Sequence, residues 1–174
     1  MEDEAPRLFT GRLELIAATP ELARAAATSS AALAQGLGAE VPRGWPPALM
    51  ADHQLEWATE LERRPELTGW LCWYIVQVSP PILVGSIGFA GRPDSDGAVE
   101  CGYSLVAKYQ RRGYATEAVG GLIDWAFSHP EVRRVRAHTY PHLAASIRVL
   151  EKNGLSHVGD GDEPGTLRFE LSRP

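Results

Sequence analysis

The chain has 174 residues, 44% of them hydrophobic and 22% charged, with a formal net charge of −5. That length and balance suit one globular domain with a sizeable core and argue against disorder. The acidic balance removes an overall basic footprint for nucleic acid or anionic membrane, and no apolar run approaches a membrane span.

Residues 1–9 read as a loose, acidic lead-in, and MEDEAPRL lacks the features of a signal peptide. Arg12 to Ala17 alternates polar and apolar residues and predicts a strand. Thr19-Pro20-Glu21 offers an N-cap with proline at the first helical position, and an Ala-rich helix to about Leu33 is expected after it. Residues 36–47 read as a Gly/Pro loop carrying Trp45, and a second helix is predicted over Ala48–Arg64, stopped by Pro65. Strands follow over Trp70–Val78, Ile82–Phe89 and Ala98–Leu105, punctuated by Ser79-Pro80-Pro81 and by the turn Arg92–Gly97. A helix over Gly113–His129 places Ala115, Ala118, Val119, Leu122, Ile123 and Ala126 on one face. A strand at Val132–Thr139, a short helix at Ala144–Asn153 and strands at Leu155–Val158 and Thr166–Leu171 complete an α/β or α+β single domain spanning 1–174. Fifteen arginines against two lysines, with abundant alanine, point to a GC-rich bacterial source, and the two cysteines, Cys72 and Cys101, suit a reducing cytoplasm.

The segment Gln110-Arg111-Arg112-Gly113-Tyr114-Ala115, with Thr116 after it, reads as a phosphate-binding turn that opens a helix. The first N–H groups of a helix have no intrahelical acceptors, and its dipole favours negative charge there. Gly113 lets the backbone approach a ligand, and the two arginines add positive potential. The segment matches neither the Walker loop nor GxGxxG, so residues alone leave several phosphate ligands open.

Three stretches together narrow this: Glu100-Cys101-Gly102-Tyr103-Ser104-Leu105, Gln110-x-x-Gly113-x-Ala115-Thr116-Glu117-Ala118, and Ser146-Ile147-Arg148-Val149-Leu150-Glu151-Lys152-Asn153-Gly154-Leu155. In this order and spacing they resemble the GNAT superfamily of acyl-CoA-dependent N-acyltransferases, nearest the Rim-type ribosomal-protein N-terminal acetyltransferases. The start, Gly11–Leu15 through Thr19-Pro20-Glu21, resembles that branch's first strand and helix. The resemblance implies a mixed, mostly antiparallel sheet flanked by helices and splayed between its fourth and fifth strands, residues 98–105 and 134–140. It further implies acetyl-CoA as cosubstrate in that split, with the pyrophosphate on the amides of Arg111 to Ala115 and the acyl carbonyl polarised by backbone N–H groups near Leu105 and Val106. No metal is called for. One departure is Leu143, where the branch commonly has an asparagine that contacts the cofactor.

Acyl transfer to an amine needs a base, donors fixed on the developing oxyanion and an acid for the leaving thiolate. Glu100 is the candidate base, alternatively a strand carboxylate paired with an arginine. Ser146 is the candidate acid, alternatively a cap of its own helix, with Tyr103 and Tyr140 as other proton donors. Trp45, Glu100 and Tyr103 are the expected acceptor-side residues; Trp57, Trp70 and Trp73 read as core. His138 and His142 lack a third ligand at metal spacing. The expected activity is acetyl transfer to a protein N-terminus or a small-molecule amine, with neither nucleic acid nor membrane as partner and a homodimer compatible with the sequence. The rival expectation is a CoA-binding sensor with little or no turnover.

Overall fold

A computed structural model describes residues 4–47 and 50–174. Eight strands, β1 Arg7–Phe9, β2 Leu13–Ala17, β3 Cys72–Gln77, β4 Ile82–Phe89, β5 Ala98–Leu105, β6 Arg134–Thr139, β7 Ser156–Asp160 and β8 Leu167–Ser172, form one sheet in the order β1-β2-β3-β4-β5-β6-β8-β7. Five α-helices flank it: α1 Pro20–Thr28, α2 Ser30–Leu37, α3 Gln54–Arg63, α4 Tyr114–Phe127 and α5 Ala144–Lys152. Every strand pairing is antiparallel except β5 with β6. That parallel pair has only three rungs, Ala98↔Arg134, Val99↔Val135 and Glu100↔Arg136. Beyond them the two strands part, so the splay falls between residues 98–105 and 134–139, as expected. It is the fifth gap rather than the fourth because β1 adds a strand.

That extra strand corrects the reading of residues 1–9 as loose. Arg7–Phe9 pairs with Glu14–Ile16, and Arg7 reaches Glu14 at 2.7 Å. The helix expected over residues 19–33 is two helices. Ser29 is extended (φ −153°, ψ 104°), and its side chain accepts from the Ala32 N–H, ending α1 and capping α2 in one residue. Gly38, in left-handed geometry at φ 64°, then stops α2. The predicted helix from Ala48 begins in residues that lie outside those described; from residue 51 a 3₁₀ turn leads into α3. The turn after β4 behaves as its sequence implies, with Asp94 Oδ1 accepting from the Asp96 and Ala98 amides.

Sheet register sorts the side chains by face. Trp73, Ile87, Tyr103 and Leu105 look toward α4 and α5, where Trp73 and Trp70 meet Trp125 with ring centroids 5.2 and 4.7 Å apart. Gly121 lets α4 settle onto this face, since a Cβ there would lie 2.9 Å from Thr10. Tyr74, Ser86, Ser104 and Glu100 look the other way, toward α1, α3 and the loop after α2. The loop is pinned beside β4 by Glu40, whose N–H donates to Pro81 O and whose carbonyl accepts from Leu83.

Candidate active site

Gly113 is the N-cap residue of α4, at φ 82°, and no side chain caps the helix. The leading amides of Tyr114, Ala115 and Thr116 therefore face outward without intrahelical acceptors. Arg111 also lies in the left-handed region, at φ 62°, so the turn bends twice in a conformation that costs a non-glycine residue about 1 kcal/mol. The turn is braced from behind. Arg12 donates to the Arg112 carbonyl at 2.9 Å, binds Glu117 at 2.8 Å and lies 4.6 Å from the Tyr114 ring centre. Tyr114 donates to Gln77 at 2.7 Å, and Gln77 donates to Pro80 O. Arg111 and Arg112 remain exposed in front.

The hydrogen-bond pattern of β5 decides which amides serve the split. Val106 N–H donates to Val84 O and Ala90 N–H to Glu100 O. Antiparallel pairs alternate, so Glu100, Gly102, Ser104 and Val106 turn their backbone groups to β4, while Tyr103 and Leu105 turn theirs toward the gap where β6 has diverged. Leu105 stays a candidate donor to an acyl carbonyl. Val106 is corrected, because its N–H is already engaged by Val84. Tyr103 presents a second backbone N–H to the same gap, which residue type could not reveal; only the strand's pairing phase does. Gln110 completes the edge, its side-chain amide donating to Leu105 O at 3.2 Å. A cleft of about 830 Å³ opens here, lined by Glu40, Pro42, Gly44 and residues 104–110.

Glu100 and Ser146 lie on opposite faces of β5. Glu100 is half exposed on the loop side, and a Cβ placed on Gly102 beside it would meet nothing within 4 Å, leaving room between Glu100 and Ser104. On the α5 side the Tyr103 hydroxyl lies 3.2 Å from Ser146 Oγ. Burial above all raises the Tyr103 pKa, with the Ser146 hydrogen bond opposing it. Ser146 does not cap its helix: Leu143 is the N-cap residue of α5 and provides no side-chain bond. Leu143 is instead 43% exposed.

Two acceptor-side expectations are corrected. Tyr103 directs its ring to Ser146, not to Glu100. Trp45 is only 9% exposed and packs edge-on against Tyr74 at 6.0 Å, with Pro42, Gly44 and Pro47 lining the cleft around it. Cys101 is a buried thiol whose pKa is pushed up to about 12, by burial above all and by the Glu100 charge second.

Sequence spacing missed one cluster. His138 Nδ1 lies 3.0 Å from Glu100 Oε1, and Asp162 approaches His138 Nε2 at 3.8 Å. One donor atom from each residue falls within 4.8 Å of the others. The Arg168 guanidinium lies against both Asp162 and His138, a positive group that opposes a metal cation there. Among the described residues no helix is long and apolar enough to cross a membrane.

Both the sequence and the fold have counterparts in known proteins. The acetyltransferase (GNAT) domain matches residues 12–156. The uncharacterized N-acetyltransferase YjdG of Bacillus subtilis is 31% identical over 147 residues, covering 84% of this chain and 88% of YjdG. Among solved structures, the ribosomal-protein-S5-alanine acetyltransferase of Vibrio fischeri superposes with a TM-score of 0.68 at 18% identity, covering 96% of each chain. Mycobacterium smegmatis RimJ in complex with CoA-disulfide does so with a TM-score of 0.66 at 18% identity, over 97% of this chain and 86% of that one. With an N-acetyltransferase relative along most of its length and the domain matched across both the turn and the split, the chain belongs to the GNAT acetyltransferase family.

Proposed function

We propose that the protein transfers acetyl from acetyl-CoA to a primary amine, of a protein N-terminus or a small molecule, directly and without a covalent enzyme intermediate. The observation that carries this reading is the uncapped α4 N-terminus at the mouth of the β5–β6 gap. The outward amides of Tyr114 to Thr116 and the Arg111 and Arg112 side chains suit a pyrophosphate, and the Tyr103 and Leu105 amides suit the arm and carbonyl that follow it. Acetyl-CoA brings the activated thioester carbonyl.

Glu100 takes a proton from the ammonium, directly or through a water, since amines titrate near ~8 to ~10.4 and a protonated nitrogen has no pair to share. The freed pair forms the N–C bond while a β5 amide steadies the oxyanion. As the C–S bond breaks, sulfur receives a proton from Ser146 or Tyr103, and the nitrogen gives up its remaining extra proton to solvent. Glu100 and Tyr103 are three residues apart, about 10 Å along a strand. Having base and acid on opposite faces of β5 keeps the entering amine and leaving thiol apart. The net charge of −5 favours the approach of a cationic acceptor.

Thiol release from acetyl-CoA over a panel of amines and peptides, with mass-spectrometric detection of the acetylated product, tests the reading. Glu100→Gln is expected to lower turnover about 10²-fold; an unchanged rate removes Glu100 from the role of base. Failure of CoA to raise the melting temperature, beside a rise with ATP or NAD, overturns the assignment of the turn. Tight CoA binding with no turnover on any amine favours a sensor.

A further inference from the structure

Glu100 sits in an array that bears on both its position and its partner's tautomer. His138 is on β6, two residues past the last rung with β5, and its side chain is only 13% exposed. It stands across from Arg168 of β8. Both ring nitrogens are engaged: Nδ1 by Glu100 Oε1 at 3.0 Å, and Nε2 by Arg168 Nε at 3.4 Å, with Asp162 Oδ2 at 3.8 Å. The ring is also walled in, since a Cβ on Gly161 would lie 2.9 Å from His138 Cδ2.

The chemistry of these partners selects one tautomer. A guanidinium only donates, so Nε2 of the neutral ring must accept from Arg168, and the ring proton belongs on Nδ1. Nδ1–H then donates to Glu100 Oε1, and a carboxylate gripped at one oxygen turns the other outward. Asp162 holds Arg168 in turn.

We infer that His138 is a positioning residue for the base: its Nδ1–H aims the free Glu100 oxygen at the space above Gly102, and Arg168 with Asp162 sets its tautomer. This inference rests on the reading of Glu100 as the base. A carboxylate on a flexible stem loses rotamer freedom whenever it must point one way, and a fixed donor removes that loss before substrate arrives.

Asparagine and glutamine substitutions separate aiming from mere packing. Asparagine places an N–H donor where Nδ1 stood; glutamine places it near Nε2. In the full chain, with the CoA-induced melting shift as the folding control, His138→Gln and His138→Ala are expected to lower kcat about tenfold at unchanged KM for acetyl-CoA, a loss typical of a misplaced reactive group. His138→Asn is expected to stay within about threefold of wild type on the same geometric ground, and adding His138→Gln to Glu100→Gln to cost nothing more. Nitrogen-15 NMR of the imidazole is expected to show the proton on Nδ1, and Arg168→Met to redistribute it. Equal losses for asparagine and glutamine, or losses that multiply in the double variant, overturn the inference. If wild type turns over no amine, the acetyltransfer reading falls and the tautomer alone decides: a proton on Nε2 overturns the positioning role, and one on Nδ1 that moves in Arg168→Met supports it.

Discussion

Arg12 and Glu117, 105 residues apart in sequence, meet at 2.8 Å between guanidinium Nε and carboxylate Oε2, while the Arg12 amide donates to the other oxygen at 2.6 Å. Thr10 donates to that second oxygen as well. Burial alone would raise the Glu117 carboxyl. The Thr10 hydroxyl, the Arg12 amide and the Arg12 guanidinium together outweigh it and hold the group below its ordinary value of 4.5. A depressed carboxylate stabilises the fold above its ordinary value and loses that contribution as pH falls through the folded one. Glu117→Gln is therefore expected to cost about 1.5 kcal/mol at neutral pH, the low end for hydrogen bonds to a charge because the pair is part exposed. Melting curves should show the gap to wild type closing as the pH falls below 4.5 and through the lowered folded value; a gap that persists in acid would remove the charge from the account.

The same brace points at the turn, so the turn's geometry is open to separate test. Gly113→Ala puts a Cβ 3.2 Å from Arg12 Nη2 at a residue with φ 82°. The left-handed cost is about 1 kcal/mol, and calorimetry should find CoA bound several-fold more weakly. Arg111→Gly divides strain from charge: relief at φ 62° should hold or raise the melting temperature while CoA affinity falls. A variant that binds CoA as tightly as wild type would take Arg111 out of the phosphate site.

On the α5 face, Ser146→Ala and Tyr103→Phe test the proton donor. Each is expected to lower kcat by roughly 10- to 100-fold with little change in KM for acetyl-CoA, and the double variant to do no worse than the slower single one. Multiplying losses would mean two separate roles.

Gly88→Ala tests the sheet itself. A Cβ there would fall 1.6 Å from the Leu71 carbonyl oxygen, a backbone atom that cannot rotate aside. The expected loss is about 4 kcal/mol, in the diagnostic tail of single substitutions, read as a collapse of the melting transition or of soluble yield.

Periodicity served the sequence reading well wherever a face is buried along a whole element. The strand β5 and the helices α4 and α5 lie within a residue or two of their expected bounds because apolar spacing and glycine stops agree there. It failed where a few residues decide. Arg7–Phe9 is too short to show a period, and Ser29 breaks an Ala-rich helix by turning extended and capping the next helix with its side chain, which composition does not announce. The turn that opens α4 was legible because a glycine ahead of an apolar-periodic run is a signal local in sequence. The partnership of Glu100 with His138 was not, since it joins residues 38 apart across two strands. The engagement of Val106 depends on the phase of strand pairing, and the burial of Trp45 on how a loop folds under itself; neither is written in spacing.

The three rungs between β5 and β6 carry a consequence for exchange with solvent. Five strands lie on one side of that junction and three on the other, so the sheet is expected to exchange as two units with a short shared border. Along β5 the amides of Gly102, Ser104 and Val106 are satisfied by β4, whereas those of Tyr103 and Leu105 face the gap. Neighbouring amides on one strand should therefore alternate between slow and fast deuterium uptake. A ligand lying in the gap would slow the fast pair alone, leaving a two-residue periodicity that fades on binding.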